Sequence, residues 1–463
     1  MEELLASVQS QLCSVFAGRS VILAGGFAVS AVRSVDQLRR LGAERFLVVS
    51  SGMGTGNPPE GPDVELIVYE PELAADAIHG FREDEHALRH PSAVVRDALR
   101  RFDPGGEAIA LAPPFLDVRE LDDRRLFGAR RLEWVAVEDK TLADELFDAI
   151  GVARPRAAVV AADEESILPA ANALDRGLGT VWSGDARGGF NGAAELVRWV
   201  RDETDRREAL DLLTAKCDRV RVAEFVDGVP CSIHGFVVGD GVAAFRPVEL
   251  VTLRAPAPPR LQFCGCATFF DPSSDDVATM RAAVRSVGEW LRTNIGFRGA
   301  FTLDGIASGG GWVATECNPR FGAGLGYVDV ALPESCLLML HYAVVEGLAD
   351  VPSADLAAAV VDASARTRWG NAGMPTTRRL EETSNHRLVG GREGFRAASA
   401  DEPVDAILSA GPGRTGGHVR IELDAARTPS GPSIAPLAVA GFAFADRELG
   451  LGIGPLEAAR PAR

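Results

Sequence analysis

The stretch Gly296-Phe297-Arg298-Gly299-Ala300-Phe301-Thr302-Leu303-Asp304, with Trp312-Val313-Ala314-Thr315-Glu316-Cys317-Asn318-Pro319-Arg320 after it, decides how this chain is read. Phe301 to Asp304 and Trp312 to Glu316 each alternate like a strand running into an acid, and Ala307-Ser308-Gly309-Gly310-Gly311 between them is a turn. The pair predicts an antiparallel hairpin with Asp304 and Glu316 near one another at one end of a sheet. Glu316, Asn318 and Arg320 are spaced by two, so an extended strand projects all three from one face. Asp304, Glu316 and Asn318 together form the hard-oxygen set that Mg²⁺ takes when phosphate oxygens and water complete its shell. Arg320 is placed to meet a phosphate or a carboxylate as a bidentate fork. The alternative is an exposed hairpin with ordinary surface acids, and the backbone demands of Asn-Pro-Arg weigh against it.

An aspartate-bearing strand followed by Glu-x-Asn-Pro-Arg resembles the metal-binding end of the ATP-grasp superfamily. That resemblance implies Mg²⁺, or Mn²⁺, on Asp304, Glu316 and Asn318, with Arg320 as the catalytic contact to the transferred phosphoryl group or the acid. It also implies the reaction: ATP phosphorylates a small-molecule carboxylate, and the acyl phosphate is joined to an amine, or less typically a thiol, with release of ADP and phosphate.

Other stretches are similar to further parts of that family. Arg221-Val222-Ala223-Glu224-Phe225-Val226-Asp227-Gly228 resembles the adenine hinge, which implies that the main chain of Ala223, Glu224, Phe225 and Val226 faces the base. A plain hairpin with Asp-Gly as its turn is the other reading, and Val229-Pro230 stands where a ribose-binding glutamate is often found. Gly184-Asp185-Ala186-Arg187-Gly188-Gly189-Phe190-Asn191-Gly192 follows the strand Thr180-Val181-Trp182 and precedes an expected helical run from Ala193 to Val200. Its glycines, Gly188 and Gly189 among them, would let amides approach phosphates, although a structural strand-to-helix turn has the same composition. The family's strand ends here in a lysine, whereas this chain has Trp182-Ser183.

All but two of the 48 lysines and arginines are arginine, so Lys140 and Lys216 stand out. Val137-Glu138-Asp139-Lys140-Thr141-Leu142, leading to Gly151-Val152-Ala153-Arg154-Pro155, resembles the opening of the small lobe, and implies a phosphate contact from Lys140. Arg187 inside the loop, or Lys216 upstream of Glu224, would replace the absent lysine. Arg254 and Arg260 flank a Pro-rich loop and are either carboxylate clamps or surface residues. Phe321-Gly322-Ala323-Gly324-Leu325-Gly326 reads as a glycine-rich loop that admits the acyl acceptor, and Asp276 to Arg292 as an amphipathic helix.

The amino-terminal third alternates strand and helix. Ser20 to Gly26 is a buried strand and turn, Ala31 to Leu41 has helical period with Ser30 as N-cap, and Arg45 to Ser50 is a second strand. Neither Gly25-Gly26 nor Gly52-Met53-Gly54-Thr55-Gly56 makes a dinucleotide fingerprint, so this sheet reads as a scaffold. Glu83, Asp84 and His86 read as an acidic loop, either substrate contacts or solvated surface. The fold class that follows is α/β with α+β. Residues 1–130 form a Rossmann-like parallel sheet preceding the ATP-grasp core, and residues 131–350 the core of two α+β lobes, with the small lobe at about 150–230. Residues 351–463 form a small C-terminal α+β lobe, with a disordered tail from Leu456.

The 463 residues allow two or three domains, and 46% hydrophobic with 24% charged residues is an ordinary globular composition. A net charge of −17 argues against nucleic acid as a partner and requires a local cationic pocket for ATP. Seven scattered cysteines form no CxxC pair, and reduced thiols are expected. The amino-terminal residues lack a secretion signature and no apolar run suits a bilayer, which predicts a cytoplasmic protein without a membrane partner. Oligomeric state is not legible, a homodimer being the assembly left open. A degenerate nucleotide or metabolite binder without catalysis is the rival function, and peptide or specialised-metabolite synthesis is the expected setting for a ligase of this composition.

Overall fold

The computed structural model describes residues 1–69, 77–185, 187, 194–256 and 259–459. Its first unit contains α1 (Glu2–Phe16), β1 (Ser20–Ala24), α2 (Val32–Arg40), β2 (Arg45–Ser50), β3 (Val64–Val68), α3 (Ala77–Arg89), α4 (Ala93–Phe102) and β4 (Ile109–Leu111). The four strands form a parallel sheet in the order β3-β2-β1-β4. Strand alternation sorts its two faces. Val21, Phe46 and Val48 pack with Leu12 and Phe16 of α1 and Leu38 of α2, whereas Ile22, Leu47 and Val49 pack with Leu88 of α3 and Leu99 of α4. A sheet buried on both faces needs helices on both, which is why its strands are continuously apolar.

A two-residue ribbon, β5 (Glu120–Leu121) with β6 (Arg124–Arg125), leads through α5 (Leu132–Val135) and α6 (Ala143–Ala149) into the small lobe. That lobe has β7 (Ala157–Ala161), α7 (Glu164–Leu174), β8 (Thr180–Gly184), β9 (Val197–Val200), α8 (Glu203–Lys216) and β10 (Arg219–Glu224). Its antiparallel sheet runs β7-β10-β8-β9, and α7 and α8 cover one face, where Trp182, Val200, Val220 and Val222 meet Ile167, Ala209 and Leu213.

The large lobe is an antiparallel sheet of β11 (Val229–Val238), β12 (Gly241–Ala244), β13 (Val248–Pro256), β14 (Pro259–Ala267), β15 (Gly299–Ser308) and β16 (Gly311–Asn318), in the order β14-β13-β11-β15-β16 with β12 on β11. The long α9 (Ser274–Ile295) lies on one face through Met280, Val284, Val287 and Leu291, against Ile233, Phe301 and Leu303. On the other face lie α10 (Ala323–Val330), α11 (Leu337–Val345) and α12 (Ser353–Arg366), sharing a core with Phe236, Val248 and α1. The last unit pairs β17 (Asn371–Thr376), β18 (Ser384–Gly391), β19 (Gly394–Ala397), β20 (Ala406–Gly413) and β21 (Gly416–Leu423) in the order β17-β21-β20-β18-β19. Helix α13 (Ala435–Phe444) packs on it and on Val251 and Leu253 of β13.

Several local expectations are corrected. Residues 197–200 are strand rather than helix, because Val197 to Val200 pair with β8, while residues 188–193 lie outside the described ones. Phe321 to Gly326 does not stay a loop: α10 begins at Ala323, and its glycines let the helix start close to β15, where a Cβ on Gly322 would lie 2.1 Å from Thr302 Oγ1. Glu83, Asp84 and His86 sit on α3, where Asp84 is buried and paired with Tyr69 and Arg414. Ser30 does not cap α2; its hydroxyl donates to the Phe27 carbonyl within a 3₁₀ turn. The chain past Leu456 is held by a two-way main-chain bridge between Glu457 and Arg254, while residues 460–463 lie outside the described ones. All seven cysteines are free. Among the described residues no single helix is long and apolar enough to cross a membrane.

Candidate active site

The hairpin that opened the reading forms as expected, with one irregularity that decides its chemistry. Asp304 pairs with Glu316 and Thr302 with Asn318, but the register shifts after Asp304, so that Gly305 faces Ala314 and Thr315 is an extra residue on β16. Before this bulge Trp312 and Ala314 point into the α9 core, and after it Cys317 does. The one-residue insertion reverses strand parity, and Glu316 and Asn318 therefore face away from α9. Asp304, Thr302, Ser232 and His234 share that face, because Leu303 and Ile233 are on the other. Without the bulge the phase of Trp312 and Ala314 would drive Glu316 into an apolar core.

The side chains on this face form two neighbouring hydrogen-bonded sets, one around Asp304 and Asn318 and one joining Lys140 to Glu316. Asp304 accepts hydrogen bonds from Ser232 Oγ at 2.5 Å on Oδ1 and from Asn318 Nδ2 at 3.0 Å on Oδ2. Arg320 donates from Nη2 to Asn318 Oδ1 at 3.1 Å and from Nε to Glu138 Oε1 at 2.8 Å, and Arg130 also donates to Glu138, at 2.6 Å. Lys140 Nζ donates to Glu316 Oε1 at 2.8 Å. The strand ends at Asn318, yet the turn through Pro319 keeps Arg320 beside its neighbour, with Arg320 N donating to the Asn318 carbonyl. Burial, and then the Glu316 carboxylate, push the Asp304 carboxyl above the usual carboxylate range, against the lowering effect of the Ser232 bond. Two carboxylates held this close in a partly buried place are a natural position for a divalent cation, which would offset their repulsion. The donor set, two carboxylates and one amide oxygen, fits Mg²⁺ or Mn²⁺ shared with phosphate oxygens. Among the described residues no group of three or more His, Cys, Asp or Glu side chains has metal-holding geometry.

The small-lobe sheet turns the face opposite α7 and α8 toward α6, and Ser183, Arg221 and Ala223 are buried there. Val220 and Val222 point at α7 and α8, which leaves Arg219, Arg221 and Ala223 on the other face; the same alternation puts Trp182 in the helix-covered core and Ser183 on the opposite side. Arg221 is clamped by Asp144 of α6 through two bonds, at 2.9 and 2.7 Å. Ala223 is flanked by Ala157 and Val181, so its main chain lies within the ladder, and Glu224 exchanges bonds with the main chain of Arg156. Phe225 and Val226 lie past the strand end. The Phe225 ring stacks on Trp199 of β9 at 4.3 Å, and the Arg254 guanidinium lies 5.2 Å from both ring centroids while pairing with Asp227 at 2.6 Å. Arg254 thereby fastens the small lobe to β13.

Arg187 and Lys216 are not brought to this group. Arg187 pairs with Asp218 at 2.5 Å and reaches the Ala215 carbonyl at the end of α8, and Lys216 lies 3.6 Å from Glu195. Gly188 and Gly189 lie outside the described residues. Glu138, Ser232 and Arg130 were not singled out from sequence, although Glu138 falls inside a motif that was. Two surface cavities, about 370 Å³ in the C-terminal lobe beside Phe395 and Leu437 and about 830 Å³ beside Arg19 and Arg45 at the amino ends of the parallel strands, include none of these residues. The candidate site lies on the face of the large-lobe sheet turned away from α9.

Structural comparison places the same architecture in solved proteins. Biotin carboxylase from Campylobacter jejuni superposes with a TM-score of 0.55 at 10% identity, covering 89% of this chain and 88% of that one. Phosphoribosylamine–glycine ligase from Thermotoga maritima gives 0.53 at 16% identity, with 92% and 96% covered. An N5-carboxyaminoimidazole ribonucleotide synthetase in complex with ADP gives 0.51 at 12% identity, with 88% and 93% covered. No protein-family profile and no curated protein sequence matches the chain. The chain has the ATP-grasp fold, with a parallel-sheet domain before the core and a further lobe after it.

Proposed function

We propose that the protein is an ATP-dependent ligase that activates a small carboxylic acid as an acyl phosphate and couples it to an amine, releasing ADP and phosphate. The observation that carries this reading is the convergence of Lys140, Asp304, Glu316, Asn318 and Arg320, from three separate stretches of chain, on one side of the β15–β16 hairpin, as a Lys140–Glu316 pair beside a hydrogen-bonded Asp304–Asn318–Arg320 set. A metal ion on Asp304, Glu316 and Asn318 would neutralise the phosphate charge that builds up during transfer. Ser232 and Asn318 hold the Asp304 carboxylate in one orientation, and Lys140 does the same for Glu316 while adding positive charge. Glu138 and Asn318 together fix the Arg320 guanidinium, which is then oriented to receive the phosphoryl group or the acid before charge develops. The uncapped first turn of α10, directly after Arg320, adds main-chain amides on the same side. ATP fits the hinge at Phe225 and Val226, and an amino acid is the amine that peptide or specialised-metabolite synthesis would supply.

The test is to incubate the full chain with Mg²⁺-ATP and pooled carboxylic acids and amino acids while following ADP, phosphate and new amide masses. ADP formation that needs both an acid and an amine supports the ligase, and Glu316→Ala should abolish it with the circular dichroism spectrum unchanged. AMP as product, or full turnover in the Glu316 variant, would overturn it. Tight ATP binding with no turnover would support a regulatory binder, the reading favoured by Trp182-Ser183 in place of a lysine.

A further inference from the structure

We propose that Arg219, at the first position of β10, is the phosphate-binding cation of the small lobe. This rests on the nucleotide reading above and goes beyond it by assigning a residue that no motif marks.

A triphosphate in a protein of net charge −17 needs cations from both lobes. On the large-lobe side Lys140 and Arg320 serve. On the small-lobe side the candidates sort by which face of the sheet they occupy. Arg187 and Lys216 are turned to the end of α8, paired with Asp218 and Glu195. Arg198 lies directly opposite Trp182, so it projects on the helix-covered face. On the opposite face β10 offers Arg219 and Arg221. Arg221 is only 6% exposed and has both its Nε and Nη2 committed to Asp144, so it has little freedom to meet a ligand. Arg219 is 47% exposed, and its ion-pair contact is a long one, 4.0 Å from Nη2 to Asp139 Oδ2.

Its position is fixed at both ends. Asp185, the residue that opens the glycine-rich connection, accepts from the main-chain N–H groups of Asp218 and Arg219 at 2.9 and 2.7 Å, and its own N–H donates to the Arg219 carbonyl at 3.2 Å. Arg219 therefore starts where that connection starts. At its other end the guanidinium approaches Asp139, the residue next to Lys140, whose ammonium holds Glu316. Arg219 and Lys140 thus flank one short loop, one facing the small lobe and the other the carboxylates. An extended, half-exposed guanidinium with a weak intramolecular partner can leave Asp139 for a phosphate at small cost, and forms a stronger charge-assisted pair when it does.

The test measures equilibrium binding of Mg²⁺-ATP, Mg²⁺-ADP and adenosine to the full chain, by calorimetry, for wild type, Arg219→Ala, Arg219→Lys and Arg187→Ala. Loss of a charge-assisted contact predicts roughly tenfold to a hundredfold weaker ATP binding in Arg219→Ala, with adenosine affinity unchanged, partial recovery in Arg219→Lys and wild-type behaviour in Arg187→Ala. Unchanged ATP affinity in Arg219→Ala, or equal losses for ATP and adenosine, overturns the assignment. Should Arg219→Ala not fold, Arg219→Lys decides: ATP affinity lower than wild type with adenosine affinity retained supports it, and no change refutes it. If wild type binds no Mg²⁺-ATP, the nucleotide reading falls and this assignment falls with it. If wild type binds Mg²⁺-ATP and the Arg219 variants bind it equally well, this assignment alone fails.

Discussion

Replacing Glu249 with glutamine should make the protein more stable at pH 8 and leave its stability nearly unchanged at pH 4.5. Glu249 lies on β13 with 1% of its surface exposed, opposite Cys231, and it joins the large lobe to the C-terminal lobe. One carboxyl oxygen accepts from Ser433 Oγ and the other from the Ile434 main chain at 2.9 Å, just ahead of α13. Burial outweighs those bonds and pushes the carboxyl up from 4.5 to about 7. Because the folded state holds its proton more tightly than the unfolded chain, the stabilisation is complete below pH 4.5 and is lost as pH rises to about 7. At roughly 1.4 kcal/mol per pKa unit, about 3 kcal/mol of stability is at stake. Glutamine keeps an acceptor for Ile434 and a donor for Ser433 and carries no charge to desolvate. Urea unfolding of both proteins from pH 4.5 to 8.5 should give a stability difference that grows from near zero to about 3 kcal/mol in favour of the variant. A difference independent of pH, or one that grows toward acid, would refute the reasoning.

Gly324→Ala should destabilise the protein, because the new Cβ would lie 2.3 Å from the Nε2 of buried His234, whose ring is held by Thr302 Oγ1 at 2.9 Å. An overpacking cost of about 1–3 kcal/mol exceeds the gain of up to about 1 kcal/mol from alanine in a helix, so denaturant midpoints should fall, and His234→Ala in the same chain should restore part of the loss. Arg320→Lys should lower kcat/KM for ADP formation by roughly tenfold or more with the thermal unfolding midpoint unchanged, since a single ammonium cannot bridge Glu138 and Asn318 as the guanidinium does. Equal kcat/KM in that variant would remove Arg320 from the site. Chelation of divalent ions with EDTA should abolish ADP formation and Mg²⁺ should restore it; turnover that persists in EDTA would contradict the oxygen set on β15 and β16.

The sequence by itself determined the β15–β16 hairpin, the period of α9 and the strand-helix rhythm of the first sheet. Each of these is written in a short-range periodicity: the two-residue spacing of Glu316 and Asn318 puts them on one face of the strand, while Arg320 lies past its end. Lys140 was legible for another reason, as one of two lysines in a chain that otherwise uses arginine. What tertiary structure decided was the side on which each periodic face lies. Spacing cannot tell whether Glu316 points into the α9 core or out of it, because a single extra residue at Thr315 reverses the answer. Nor can it tell that Trp182 faces α7 and α8 while Ser183 faces the opposite side, or that Arg187 and Lys216 turn toward the outer helix while Arg219 remains on that opposite side. The segment from Val197 became a strand because β8 was there to pair with it, and Phe321 to Gly326 became the start of a helix because Thr302 and His234 leave room only for glycine. Facing and pairing are set by contacts between residues far apart in the chain, and a local pattern carries no record of its distant partner.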